Sequence, residues 1–401
     1  MTRVRQIGES VLLTLILASV ALAGGFQLNE HGASAISQGG AFAARASDAS
    51  AIYYNPAGLG FQSNGSIMLG ATGIDPTISF YGPLQDNTNA ETKMNSQFFT
   101  PINGYVVYPV MDRLMAGVGV YNAYGLGTDW PTDWSGKNLV TKVNLKTFWF
   151  TPTLAYRVSD ELSVGAGVSY VSGTLLLEKA APFDSRVTLD MNAHGWGFDA
   201  GIDYKPLPRL TVGLSYRSQV KVDAGGSAGF VPLIPVLPEG GVSSTITLPA
   251  TGYAGVAYKF SDELTLEADY QYIGWSSYQN LTFTFTKDGS TQTAPKNYSD
   301  TYILRVGGEY LMGCMKLRAG YYFDHTPVSD PYVDPLLPDA SRHGLSAGIG
   351  MNITDHLSVD AGYLFIKFLD RTVTTTIPAT SFDGTYKSFA NLFSLDLGYS
   401  L

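Results

Sequence analysis

Only 15% of the 401 residues are charged, against roughly a quarter in ordinary soluble domains, and 25 Tyr, 20 Phe and 44 Gly run through the chain, a composition of many strands with aromatic rims. The net charge of −9 argues against nucleic acid as a partner, and the single cysteine, Cys314, excludes an internal disulfide framework. No stretch offers the roughly 20 consecutive apolar residues of a membrane-spanning helix, which leaves a secreted soluble protein or a β-barrel.

Arg3 and Arg5 precede an apolar run from Val11 to Val20, and Ala21-Leu22-Ala23 follows as a small-x-small site. That is the pattern of a secretory signal peptide over residues 1–23, with cleavage after Ala23 and a mature chain from Gly24. Residues 24–63 show no alternation. Their stretch SDASAIYYNPAGL is nearly uncharged, and Asn55, Pro56, Ala57 and Gly58 break helix and strand alike, since Pro lacks the donor that a ladder needs.

From about residue 64 to the end, strands of period 2 take over. Six passages, among them YRVSDELSVGAGVSY and YKFSDELTLEADYQY, read as strand end, tight polar turn, strand. The leucines that open the second strands, Leu114, Leu162, Leu210, Leu264, Leu317 and Leu357, recur at about 50 residues. Short turns at one rim and longer loops at the other are the membrane-barrel pattern. The count is fourteen strands: near 65–82, 95–110, 114–127, 145–157, 162–178, 187–204, 209–224, 242–259, 264–282, 299–311, 315–326, 341–353, 357–375 and 389–401. In LTLEADYQY one face carries Leu264, Leu266, Ala268, Tyr270 and Tyr272 and the other Thr265, Glu267, Asp269 and Gln271, a wall between lipid and lumen. The last strand, FSLDLGYSL, alternates likewise and resembles the C-terminal strand recognised by the barrel-assembly machinery, with Leu401 where a Phe is usual. The fold class expected is all-β: a 14-stranded antiparallel transmembrane β-barrel whose lumen is plugged by an N-terminal hatch, residues 24–63, with the barrel over 64–401. Irregular backbone is tolerated at membrane depth when protein surrounds it.

The segment GGFQLNEHGASAISQGGAFAARASDASAIYYNPAGL resembles the N-terminal hatch of the FadL family of outer-membrane long-chain fatty acid and hydrocarbon transporters. NAYGLGTDW at 122–130 is similar to that family's kinked third strand, and RAGYYFDHTPV with LPDASRHGLSAG match further. The resemblance implies a monomer in the bacterial outer membrane that takes up hydrophobic small molecules passively: capture at outer loops, transfer to a pocket above the hatch, hatch rearrangement, and lateral exit into membrane lipid. It also implies a gate at Ala123, Tyr124, Gly125 and Gly127, and Asp339 near the ligand; Phe26 and Leu28 either line an apolar pocket under the mouth or simply pack the hatch. Between strands five and six, where the family carries a long loop beside a capture groove, this chain has only KAAPFDSRV. A general porin or structural barrel is the alternative.

The greasy stretch 225–241, with Phe230, Val231, Leu233, Ile234, Val236 and Leu237, reads as an outer loop on which apolar substrate lands. By strand parity Arg305, Arg318, Asp324 and Arg342 face the lumen, where they either hold a fatty-acid carboxylate or brace the plug. The five histidines are scattered without metal-ligand spacing and no GxSxG occurs, so neither an enzyme nor a metal or cofactor is expected.

Overall fold

A computed structural model describes residues 25–84, 89–233, 238–374 and 382–401; the signal-peptide segment lies outside them, as does Ile234. Among the described residues fourteen antiparallel strands close on themselves. They are β1 (Ser66–Tyr81), β2 (Ile102–Met111), β3 (Leu114–Tyr121, resuming as Gly125–Asp129), β4 (Lys142–Arg157), β5 (Leu162–Ala181), β6 (Ser185–Leu207) and β7 (Leu210–Arg217, resuming as Val220–Val231). The second half is β8 (Gly240–Leu248, resuming as Thr251–Lys259), β9 (Leu264–Ile273, resuming as Asn280–Phe285), β10 (Thr291–Pro295, resuming as Thr301–Met312), β11 (Met315–Asp324), β12 (Arg342–Asn352), β13 (Leu357–Phe368) and β14 (Gly384–Ser400). The ring closes where β1 pairs with β14 from Ser66↔Ser400 to Tyr81↔Thr385.

The alternation read from sequence is the inside–outside alternation of the wall. On β9, Leu266, Tyr270 and Tyr272 are exposed while Glu267, Asp269 and Gln271 are buried; on β14, Phe393, Leu395 and Leu397 are exposed while Ser394 and Asp396 are buried. At the short-turn rim a side-chain hydroxyl oxygen folds three of the turns. Ser159 Oγ accepts from the amides of Glu161 (3.2 Å) and Leu162 (3.1 Å), Ser261 Oγ does the same for Glu263 and Leu264, and Thr354 Oγ1 for His356 and Leu357. Leu162, Leu264 and Leu357, three of the recurring leucines, are therefore the first residues after hydroxyl-organised turns.

Residues 25–65 form no barrel strand. They fold as two short helices, α1 (Ala33–Ile36) and α2 (Ala51–Tyr54), and a 3₁₀ turn over Pro56–Phe61, and nearly all are buried. Their polar atoms bond to the inward faces of the strands: Phe42 and Ala43 amides to Asp269 (both 2.9 Å), Ala44 to Glu267 (2.7 Å), Gly39 to Ser346 (2.8 Å), and the Tyr54 carbonyl from Ser215 (2.7 Å). Wall glycines make room for this backbone. A Cβ at Gly213 would lie 2.0 Å from the Ala43 carbonyl oxygen, and one at Gly201 equally close to Asn55.

The end of β7 differs from expectation, whereas β1 keeps its expected course. β7 continues to Val231, so Phe230 is a buried strand residue and not part of a landing loop. For Phe230 the apolar character is that of a covered inner strand face, while Val231 and Leu233 stand exposed and Val236 and Leu237, like Ile234, lie outside the described residues. β1 runs through Pro76, which pairs with Ala390 of β14. Its neighbours Thr72 and Ile74 donate toward the chain preceding β2, so Pro76, lacking a donor, sits where that ladder is already broken.

Candidate functional site: an interrupted ladder and a line of cavities

Regular pairing of β2 with β3 runs up to Asn103↔Tyr121 and then stops. Asn122 ends it with its side chain, Oδ1 accepting from the Ile102 amide (2.8 Å) and Nδ2 donating to the Thr147 carbonyl (2.6 Å). Tyr124 is pinned to β4, its amide donating to Thr147 Oγ1 (3.1 Å), which donates in turn to the Tyr124 carbonyl (2.7 Å). Above the break Gly125–Asp129 pairs with β4 and no longer with β2, while the chain before β2 follows β1 through Ile74–Phe99 contacts. Among the described residues the two edges are hydrogen-bonded again at the top, where Asn95 bonds to Asp129 (2.7 and 2.9 Å).

The N-terminal segment lies against this broken edge. Leu28 donates to the Ala123 carbonyl (2.9 Å) and Gly125 to the Phe26 carbonyl (3.1 Å), so Gln27 and Tyr124 face each other as an antiparallel pair. The chain's own N-terminal segment supplies the partner that β2 withholds. Phe26 is held by Trp275 (ring centroids 4.7 Å), Tyr278 (5.7 Å) and Tyr124 (6.0 Å). Gly127 is required by close approach, because a Cβ there would lie 2.1 Å from the Phe99 ring.

Three cavities run from the outer mouth to this break. The outer one, about 590 Å³, is lined by Leu177, Leu189, Phe230, Leu281, Phe283 and Phe285, with Lys179 and the Lys296–Asp334 ion pair as polar groups. A neck of about 30 Å³ shares Leu177, Leu281 and Leu336 with it and adds Phe26, Leu126, Tyr278 and Tyr298. The wall cavity, about 470 Å³, shares Phe26, Leu126 and Leu145 with the neck and ends among Phe98, Ile102, Phe148 and Phe389. Those last side chains are exposed, Phe98 by 63%, so the cavity reaches the lipid-facing surface.

Glu30, Lys146, Asp339 and Arg342 are the charged groups that line the wall cavity. Arg342 pairs with Asp324 (2.7 Å). Asp339 accepts from Thr326 Oγ1 and from the Gly25 amide (3.3 Å), and burial pushes its carboxyl up to about 7 against the opposing pull of Arg342. The structure thus brings Phe26, Leu28, Tyr124, Gly125, Gly127, Asp339 and Arg342 into one cavity, with Ala123 behind Leu28 and Asp324 behind Arg342. Phe230 belongs to the outer cavity, and Leu233 stands exposed beyond it. Arg318 borders none of these three cavities and bonds to Glu309 (2.7 Å) and to Asp360. Arg305 is buried with its guanidinium 5.8 Å from the Tyr322 ring. The NPAG turn lies against β5 and β6. Asn55 Oδ1 caps the 3₁₀ turn at the Ala57 amide (3.2 Å), its Nδ2 donates to the Ala43 (2.8 Å) and Ile202 (3.1 Å) carbonyls, and Ser163 donates to the Ala57 carbonyl (2.7 Å).

Sequence reasoning missed Trp275, Tyr278 and Tyr298, the rings around Phe26. Their only signal is the interruption of alternation at WSSYQN, where β9 pauses in a 3₁₀ turn at Trp275–Ser277.

The family model described as "Outer membrane protein transport protein (OMPP1/FadL/TodX)" matches residues 14–401. The chain belongs to this family. Outer membrane protein P1 of Haemophilus influenzae is 26% identical over 99% of this chain and 100% of its own length. The long-chain fatty acid transport protein of Salmonella typhi is also 26% identical, over 88% of this chain and 89% of its own. The crystal structure of a Pseudomonas aeruginosa FadL homologue superposes with a TM-score of 0.84 at 24% identity, covering 94% of this chain and 99% of that one. The Ralstonia pickettii toluene transporter TbuX gives 0.72 at 22% identity, over 92% and 98%. Membership establishes an outer-membrane transport family, and the solved structures share the barrel.

Proposed function

We propose that this protein carries long-chain fatty acids or related hydrocarbons passively across the outer membrane, and that substrate leaves sideways through the break between β2 and β3. The carrying observation is the line of cavities from outer mouth to lipid-facing surface, interrupted by a neck whose wall includes Phe26. Each buried methylene contributes about 0.8 kcal/mol, so a chain of about 14 gains on the order of 11 kcal/mol on leaving water. A route that returned such a molecule to water would forfeit that gain, whereas a gap at membrane depth passes it from pocket to lipid. Relatives named for fatty acid and toluene transport fit the same chemistry. The barrel acts as a monomer, delivered by a signal peptide cleaved after Ala23 and assembled through its C-terminal strand.

Residues 24–63 act as the hatch. Only residues 26–28 need withdraw to unite the neck with the wall cavity, because their two backbone bonds to Ala123 and Gly125 occupy the broken edge. Arg342 is placed to receive a carboxylate in exchange for Asp324, while Arg318, committed to two carboxylates away from the cavities, braces the wall. The outer cavity serves for capture in place of a long loop between β5 and β6.

Gln27 and Tyr124 form a non-hydrogen-bonded antiparallel pair, whose Cα atoms stand about 4.5 Å apart, within disulfide reach. Gln27→Cys with Tyr124→Cys, in a Cys314→Ser background, should abolish uptake of a labelled fatty acid when oxidised and restore it on reduction, with binding unchanged. Full uptake through a fully oxidised bridge would rule out this exit.

A further inference from the structure

The hairpin of β5 and β6 is far taller than a membrane crossing requires. Its outward face is aromatic up to Tyr170 and Trp196, whose rings pack at 4.9 Å, and turns largely polar above them with Ser172, Thr174, His194, Asn192 and Asp190 around Leu176. That change marks the outer membrane boundary. The strands run on to Ala181↔Ser185, roughly 35 Å of strand beyond it. At the tip Phe183 has φ +63° and is 66% exposed, followed by Asp184 at φ +52°. Asn or Gly suits that backbone; a bulky ring in the left-handed region is a conformational cost with no packing return. Beside it Val231, paired with Arg186, is 65% exposed and Leu233 60%. Lipid cannot cover groups at this height.

We propose that Phe183, Val231 and Leu233 form an apolar crown that adsorbs to the surface of a dispersed apolar phase, an oil droplet, and draws substrate from it directly into the outer cavity. Two observations select this occupant. The crown is continuous with the cavity, since Ala181, Pro182, Val187 and Phe230, its immediate neighbours, line the rim. The charges around it also balance, Lys179 and Arg186 against Glu178 and Asp184, with Arg186 paired to Glu178, so neither an anionic nor a cationic membrane surface is favoured. Adsorption removes the slow step of dissolving a molecule that water rejects.

This proposal rests on the transport reading, and the test separates the two. Phe183→Asn, Val231→Thr and Leu233→Ser are combined; Asn suits the left-handed backbone, so heat-resistant migration in electrophoresis should persist. In lipid nanodiscs the wild type should float with hexadecane droplets, while the triple variant should fall about tenfold toward the protein-free nanodisc baseline. In proteoliposomes octane is supplied at equal chemical activity as droplets or through the vapour. Wild-type uptake should be faster from droplets, and the variant should lose that advantage alone. Equal flotation of variant and wild type, or an equal loss of uptake from both sources, overturns the crown. A wild type that floats yet takes up octane from neither source overturns the transport reading and leaves the adsorbing surface standing.

Discussion

Two residues bind the N-terminal segment in different ways. Asn55 makes a cap and two carbonyl contacts, one of them to the wall at Ile202, so Asn55→Ala removes the cap and leaves buried acceptors unpaired. Roughly 2–3 kcal/mol of docking should be lost, seen as faster proteolysis within residues 25–63, while the barrel keeps its heat resistance. Failure of the barrel to assemble would make the turn a folding element instead. Asp339 ties the other end, at Gly25. Burial raises its carboxyl from the ordinary 3.8 to about 7, and if withdrawal of Gly25 opens it to water and returns it to the ordinary value, the docked state holds the proton more tightly than the released state does. Docking is therefore strongest at low pH, weakens between those two values as pH rises, and is constant above. A nitroxide at Gln27→Cys should become more mobile from pH 4.5 to pH 8 in wild type, and Asp339→Asn should flatten the change.

At the scale of elements, β3 is a strand whose upper half has exchanged one neighbour. A side chain, Asn122, closes the seam with β2, and a segment from the chain's start continues it. Asn122→Ala leaves the Ile102 amide and Thr147 carbonyl unpaired, a cost of about 1–3 kcal/mol confined to the seam. Hydrogen exchange at Ile102 should accelerate roughly tenfold to a hundredfold, with amides of β8 and β9 unaffected. Uniform acceleration around the barrel would mean that the seam is not a separate unit.

For the whole molecule, a ring of fourteen strands encloses a lumen that side chains alone do not fill, and residues 25–65 lie largely buried against the inward faces of those strands, where the proposed hatch would close it. Single-channel conductance of the intact protein should be low. Deletion of residues 25–63 should raise it about tenfold or more and admit sugars. Steady porin-like conductance in the intact protein would favour a water-filled pore and leave the apolar cavities incidental.

How much of this was legible beforehand follows from the range of each signal. Period-2 alternation, hydroxyl turns such as Ser159-Asp160-Glu161 and the Asn55-Pro56 break are local, so the strands, their number, their inward face and the irregular start could be read directly from sequence. Parity says that Arg318 and Arg342 both face inward, but not at what height; only the closed wall puts one beside Glu309 and Asp360 and the other in a cavity with Asp339. Hydrophobicity marked 225–241 as greasy without telling, at Phe230, an outer loop from a covered strand face, because a cover is supplied by other strands. The pairing of Gln27 with Tyr124, and the ring of Trp275, Tyr278 and Tyr298 around Phe26, join residues about 100 to 270 positions apart in the chain. A repeating pattern records which face of a strand meets protein, and carries nothing about which distant neighbour meets it; barrel closure made that choice.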